Sequence, residues 1–430
     1  MTTSLENCMV ELSKQLGDYH SGTATSNGAA GGTTIVDTGL MAKQNDWITD
    51  VAYDRITSGT YDEQERSITS LNNTNGTLTV LAHGGQILSA VTYEVHRLWT
   101  ASEKRTALVY AARHGFPYIN NFIKVETRRA GNWLLNGDME TWAAATVPDN
   151  WTRDTVTAAK NTTKPYYLRG TGSLKLSTAA GNISQSATQN SVLNDLAGKT
   201  VTIRARGWCN TASCLRLQIY DGTTTTNSDY HSGDSSWDEP ELQTLEAEVQ
   251  ISSTPSEVTF RIAHDKAGGI SYVDDVRVIS GTYNRVYVGD LSLANNRPFE
   301  VFQTQEESIY VERWARLTGG SIEGDGYLYL PHTANDARLR INGIGYLDFL
   351  DTNGASGADW ADTINMNSPQ TDILVAEAAI HLYEQALLPQ ATSGSSDDFK
   401  VGLAYWQLKL REARLKFGMP TPQITKNVSG

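Results

Sequence analysis

Two adjacent carboxylates, Asp274 and Asp275, and eight scattered histidines are the residues of this chain that could carry acid–base chemistry. Glycoside hydrolysis needs an acid and a base on opposite sides of one sugar. Neighbouring residues of a strand point to opposite faces, so Asp274 and Asp275 are not expected to flank one substrate. His96 and His381 fall in stretches with helical spacing, where a packing or surface role is the plainer reading. There is no Gly-rich phosphate loop with its lysine, no Gly-X-Ser-X-Gly elbow and no His-Glu-X-X-His helix. No nucleophile–base pair stands out, and the chain is expected not to be an enzyme. The three cysteines, Cys8, Cys209 and Cys214, have no metal-ligand spacing. Cys209 and Cys214 are near enough to flank a hairpin and pair, but a reduced, cytosolic state is the default expectation.

The elements that must position any site come from 430 residues, enough for two to three domains. A net charge of -13 argues against sequence-independent nucleic-acid binding, which relies on Lys and Arg neutralising phosphates. It suits a surface past which DNA slides without sticking, and equally a simple solubility charge. Met1 to Leu16 has no basic stretch followed by an apolar core, so no secretory signal is expected. No apolar run approaches the roughly 18 residues that span a bilayer, and no membrane partner is expected.

Leu5, Met9, Leu12 and Leu16 predict an amphipathic helix over Ser4 to Leu16, closed by Gly17. Ser21 to Gly32 is small and polar and reads as a loop or arm. Strands are expected at Thr33–Val36, Trp47–Tyr53, Ser67–Leu71 and Thr77–Val80, the last two joined by the turn Asn72 to Gly76. Residues 86–115 read as helix in two pieces. The first has the stripe Leu88, Val91, Val95 and Leu98, and the second is opened by the capping box Thr100–Glu103. Arg97, Lys104, Arg105 and Arg113 are expected to decorate its surface. Near the C-terminus, one helix is expected over 368–388, with Ser368 as N-cap and Pro369 in the first turn. Another is expected over 397–417, where Phe399, Leu403, Trp406, Leu410, Ala413 and Phe417 form a stripe built to pack on a helix.

Around Ala130 this helical, charged style stops. Strands at regular spacing are expected at Ser173–Ser177, Thr200–Trp208, Leu215–Tyr220, Leu242–Ile251, Glu257–Ala263 and Ser271–Ile279, the rhythm of a β-sandwich. The older style returns at Tyr283. The expected fold class is therefore α+β and multidomain: a helical core with a small β region (1–130 and 281–420), an inserted all-β sandwich (131–280) and an extended C-terminal arm (421–430).

Within the insert, Asn136-Gly-Asp-Met-Glu140, Pro148-Asp-Asn-Trp151 and Tyr272-Val-Asp-Asp-Val276 resemble the opening and closing strands of the carbohydrate-binding-module jelly-roll family. The resemblance covers about a third of the chain. It implies a structural calcium tying the first strand to the last, through Glu140 and Asp274. Strand parity supports Asp274, which would share a face with Val276 and Val278, and hard carboxylate ligands suit calcium. The plainer alternative is a carboxylate capping backbone amides. Sugar binding would need exposed rings stacking on pyranose faces, with Trp142, Trp151, Tyr166, Tyr167 and Trp237 as candidates. Against this, Trp133 and Trp151 would serve equally as core.

The flanks, with Ala101 to Pro117, Leu339 to Leu347, Thr371 to Tyr383 and the Trp406 helix, resemble the head-to-tail connector (adaptor, or neck) proteins of tailed bacteriophages. That resemblance implies a virion protein made in the host cytoplasm and placed at the neck. It implies a ring, often dodecameric, that binds the portal and further tail or neck proteins and lets DNA pass without specific binding. Subunit contacts would then involve Leu88, Val91, Val95, Leu98, Leu403, Trp406, Leu410 and Phe417. The competing expectation is a glycan-binding adhesin or fibre-associated virion protein.

Overall fold

The computed structural model describes residues 2–48, 52–235, 242–294, 298–307, 312–331, 333–334, 336–352, 354–390 and 397–419. Trp237 and the expected arm 421–430 lie outside the described residues. In chain order, the first part contains β1 (Thr3–Ser4), α1 (Leu5–Leu16), β2 (Tyr19–Thr23), β3 (Thr34–Val36), β4 (Ala52–Ile56), β5 (Glu65–Asn72), β6 (Thr77–Val80), β7 (Thr92–His96) and α2 (Ala101–His114). The middle contains β8 (Asn121–Val125), β9 (Thr152–Arg153), β10 (Thr157–Asn161), β11 (Ser173–Ser177), β12 (Gly181–Ser186), β13 (Thr200–Cys209), β14 (Leu215–Tyr220), β15 (Thr225–Asn227), β16 (Gln243–Gln250), β17 (Thr259–His264) and β18 (Ile270–Ile279). It continues with β19 (Arg285–Tyr287), β20 (Glu300–Glu307), β21 (Glu312–Arg316), β22 (Ser321–Ile322), β23 (Tyr327–Tyr329) and β24 (Leu339–Gly345). The chain closes with β25 (Thr363–Ile364), α3 (Thr371–Gln390) and α4 (Asp397–Phe417). The fold is mostly β, with few helices.

These elements form two compact units, one from the residues up to Asn121 together with those from Tyr346 on, the other from Phe122–Gly345. The second unit is wider than the 131–280 segment read from the sequence. Strands β8 and β19 to β24 belong with the sandwich because Arg128 bridges Asp138 and Asp290, while Arg129 and Arg277 both pair with Asp275.

In the first unit, a six-stranded antiparallel sheet runs in the order β2-β7-β4-β5-β6-β3. The Ser4 hydroxyl accepts the Asn7 amide to start α1, and Gly17, in the left-handed region at φ 73°, ends it. The Thr100–Glu103 capping box opens α2 with both of its reciprocal bonds made. The four helices bury Leu5, Leu12, Leu108, Ile373, Leu374 and Trp406 in one core.

Four expectations need correction here. Residues 86–98 are not helical, since Thr92–His96 is β7, hydrogen-bonded to β2 on one side and β4 on the other. Ser21 to Gly32 is not all loop, because Tyr19–Thr23 is the edge strand β2. The first C-terminal helix starts at Thr371 and runs through Pro389 to Gln390, rather than being capped by Ser368. Lys104 is fully buried instead of decorating the surface. Its ammonium lies 2.9 Å from Asp18 Oδ1 and donates to His96 Nδ1 at 3.0 Å. His96 Nε2 in turn lies 3.4 Å from Glu94 Oε2, which also takes Arg55 at 3.1 Å. Burial lowers the pKa of both His96 and Lys104. With its Nδ1 accepting from Lys104, a neutral His96 carries its proton on Nε2, facing Glu94.

In the second unit, two antiparallel sheets face one another as a sandwich. One has the order β10-β11-β18-β13-β16 and the other β15-β14-β17-β12-β9. Alternation explains the core: Leu215, Leu217 and Ile219 of β14 point inward, as do Phe260 and Ile262 of β17 and Val201, Ile203 and Ala205 of β13. Beside the sandwich, the sheets β19-β23-β22 and β21-β20-β24-β8 share a second core with Val288, Leu330 and Ile341.

Candidate functional site

The opening motif of the sandwich lies against its closing strand. The Val276 amide donates to Gly137 O at 2.7 Å, and the Trp133 amide donates to Val278 O at 3.0 Å. A side chain at Gly137 would collide with Val276 O, so this close approach requires glycine. The register of β18 on β13 shifts between Arg204 and Arg206, and Asp275 sits in the bulge at φ 51°. This corrects the parity expectation. Val273, Val276 and Val278 are all core, but Asp274 faces outward with Tyr272.

On that outer face Tyr272 is paired in register with Trp208, and Tyr166 stacks on Tyr272 at 4.2 Å between ring centroids. Residues 166–172 cross the face as a strap. Asp274 Oδ2 accepts the Leu168 amide at 2.7 Å, and Glu140 accepts the amides of Thr171 and Gly172 at 3.0 and 3.2 Å. Gly170, at φ 74°, has no room for a side chain beside Glu140 Oε1. Both acids of the expected calcium site are thus engaged by backbone N–H groups. Calcium needs several converging oxygens. Among the described residues no group of three or more His, Cys, Asp or Glu could hold a metal ion. The two carboxylates do not fit a cation cradle. Calcium and chelator are both expected to leave the melting temperature unchanged, and a rise of several degrees on adding calcium would contradict this.

Burial raises the pKa of Glu140 and pushes the Asp274 carboxyl up to about 7. A carboxyl raised on folding holds its proton more tightly in the folded chain. Its contribution to stability is complete below the ordinary Asp range and is lost as pH rises to about 7. Asp274→Asn keeps an acceptor for the strap amides and removes the titration. It is expected to flatten the fall in melting temperature between about pH 4 and 7 by about 5 °C or more; an unchanged slope in a thermal-shift series would contradict the assignment.

The opposite sheet presents an open face. Arg216, Gln218 and Tyr220 alternate with buried residues along β14 and point outward, and Arg261 does the same on β17. Gln218 lies across from Arg261, which lies across from Ser184 of β12, itself across from Thr152 of β9. The Arg261 guanidinium sits 4.6 Å from the Tyr220 ring centre, and that of Arg216 sits 4.7 Å from the Tyr230 ring centre. Tyr230 is 38% exposed, and its hydroxyl donates to Asp265 at 2.7 Å. Asp265 also holds Arg216 at 2.6 Å. Arg216 and Tyr220 lie about 13 Å apart along the strand at its usual rise. Gln218 donates to Asn227 at 2.9 Å between them. Two ring–guanidinium stacks with planar amides and hydroxyls between them can stack on apolar ring faces and hydrogen-bond to hydroxyl groups.

The sequence-predicted rings are placed elsewhere. Trp142 and Trp151 are core, with their indole N–H groups donating to Met139 O and Asn136 O. Tyr166, the first residue of the strap, is buried against Tyr272 and Trp208, and Tyr167 is half-buried with the Lys164 ammonium 3.7 Å from its ring centre. The interface candidates divide similarly. Val95, Trp406 and Leu410 are buried within the chain, Leu403 and Phe417 pack on the helical core, Val91 packs on the sheet, and Leu88 and Leu98 are exposed. The stripe Trp406, Leu410 and Ala413 therefore finds its partner in the helical core of its own chain. Sequence reasoning missed Trp208, Tyr272, Tyr220 and Tyr230. The signal for the first three is an aromatic at an outward position of an alternating strand.

No family model matches the chain, and no curated protein matches it. Among solved structures, the enzymatically active domain of tailspike protein 4 of bacteriophage CBA120 is 15% identical over 35% of this chain and 22% of its own, with a TM-score of 0.26. A family 61 carbohydrate-binding module in complex with β-1,4-galactotriose is 14% identical over 35% of this chain and 99% of its own, with a TM-score of 0.26. A xylan-binding domain from Paenibacillus barcinonensis is 11% identical over 37% of this chain and 96% of its own, with a TM-score of 0.26. The sandwich itself stands on the strand pairings described above. No helix among the described residues is long and apolar enough to cross a membrane.

Proposed function

We propose that the sandwich binds a saccharide on the outer face formed by β14, β17 and β12. One observation carries the reading: two tyrosines held against arginines, with Gln218, Asn227, Ser184 and Thr152 between and beside them, on the outward side of one sheet. Aromatic faces with a few placed polar groups are what an open sugar site requires. The face under the strap lacks this access, because its three rings are all buried. Arg261 has no ion-pair partner among the described residues, whereas Arg216 has Asp265. That favours glycans carrying a carboxylate. The test is a glycan array probed with the full chain and with Arg261→Ala. Binding to a defined set, enriched in acidic glycans and lost in the variant, is expected. An array on which the two proteins behave alike would remove the proposal.

A second reading, a virion neck component that joins portal to tail, is favoured by the first unit. Its last helix leaves Val401, Tyr405, Leu408 and Leu415 exposed, a surface suited to assembly. Electron microscopy of the chain mixed with the cognate portal is expected on this reading to show an added layer, and free monomers would remove it.

A further inference from the structure

The sandwich core holds a pair of thiols that the saccharide face does not use. Cys209 ends β13 in one sheet, and Cys214 directly precedes β14 in the other. Four residues separate them, and both side chains are fully buried in the sandwich core. They converge on Ser271 of β18. Cys209 is its cross-strand partner, and Cys214 Sγ lies 3.6 Å from its hydroxyl. Cys214 Sγ also lies 3.4 Å from His264 Nδ1, and the Ser271 hydroxyl is 2.9 Å from the same nitrogen. The two thiols hydrogen-bond to one another. The main chain fixes both: Cys209 O accepts the Asp234 amide at 2.9 Å, and Cys214 O accepts the Asp265 amide at 2.7 Å. Ala212 and Ser213, in the turn between them, are exposed, so the pair lies near the surface at one end of the sandwich.

We propose that Cys209 and Cys214 are a redox-modification site, joined by a peroxide into a reversible disulfide that ties the two sheets together. Cys209 is the attacking sulfur, since the thiolate is the nucleophile in thiol oxidation. The hydrogen bond from Cys214 lowers the pKa of Cys209 to about 6 against its burial, helped by Ser271, the Thr211 amide and the Lys266 charge. The same bond raises the pKa of Cys214. The Cys209 sulfur takes one oxygen of hydrogen peroxide as the O–O bond breaks, giving a sulfenic acid. The departing hydroxide takes up the proton that Cys209 has shed and becomes water. Burial lowers the pKa of His264, so its imidazole is neutral and can accept the Cys214 proton. The Cys214 sulfur then attacks the Cys209 sulfur. An S–S bond forms, the S–O bond breaks, and the oxygen leaves as a second water with the proton returned by His264. Two thiols and one hydrogen peroxide thus give one disulfide and two waters. Cys8 meets neither condition. Burial, with the Glu11 carboxylate, pushes its thiol up to about 12, and no second cysteine shares its core.

The test treats the full chain briefly with hydrogen peroxide, removes the peroxide with catalase, and unfolds the chain in an alkylating agent for mass spectrometry. All three cysteines are expected to be alkylated before treatment and Cys8 alone after it, with the chain lighter by two hydrogens. Dithiothreitol is expected to restore all three. The oxidised chain is expected to melt about 4 °C or more above the reduced one, as a staple closing a short loop should. Cys214→Ser is expected to strand Cys209 as a sulfenic acid that dimedone labels, and Cys209→Ser to leave Cys214 unlabelled. Three alkylated cysteines after peroxide would overturn the proposal. So would a sulfinic acid on Cys209 beside a free Cys214 in the unaltered chain, or dimedone on Cys214. A crosslinked chain that melts no higher than the reduced one would also overturn it, since the fold would then have to distort to join the two sulfurs.

Discussion

Replacing Asp18 by alanine is expected to destabilise the first unit by about 3–5 kcal/mol, the range for breaking a buried ion pair from one side. Lys104 is fully buried, and both Asp18 oxygens lie within 3 Å of its ammonium, at 2.9 and 2.8 Å. His96, the other neighbour, is a neutral acceptor and cannot balance the charge. Burial already lowers the pKa of Lys104. Without Asp18 the group must either stay charged with no carboxylate in contact, Glu94 and Glu65 acting only from farther off, or give up its proton. Lys104→Met combined with Asp18→Leu is expected to be far milder than Asp18→Ala alone, because nothing charged is left stranded. Urea denaturation of the three proteins decides it. A single variant as stable as the wild type would mean that water reaches the ammonium.

Tyr220→Ala and Arg261→Ala are each expected to weaken saccharide binding by about tenfold or more, from the loss of a stacking ring or of a charge-assisted hydrogen bond. The two should fall short of additivity, because each holds the other in place across 4.6 Å. Neither should lower the melting temperature by more than a few degrees, since both point away from the sandwich core. Isothermal titration with a glycan chosen from the array measures this. A full loss of stability in either variant would mark the stack as structural rather than recognitive.

Local signals in the sequence were faithful where the decisive contacts are local. The caps of α1, the capping box of α2, the turn at 72–76 and the strands from Ser173 to Ile279 depend on neighbours within a few residues. The failures lie where distant partners decide. Leu88, Val91, Val95 and Leu98 keep helical spacing, but pairing with β2 and β4 draws Thr92–His96 into a sheet, which suits β-branched Thr92 and Val95. Parity placed Asp274 with the core valines until the bulge at Asp275 reversed it. Lys104 looked like a surface charge because its counter-ion, Asp18, lies 86 residues away. The open face assembles from strands whose cross-strand neighbours, such as Gln218 and Arg261, are 43 residues apart in number and share no motif. Trp142 and Trp151 are large rings near the opening motif, and burial is the ordinary fate of such rings.

The most direct test of the central claim is amide hydrogen exchange of the full chain with and without a glycan selected on the array. The account predicts added protection in β14, β17 and β12 and around Tyr230, with the strap at 166–172 unchanged. Protection confined to the strap and to the strands carrying Trp208 and Tyr272 would contradict it and move the site to the opposite sheet.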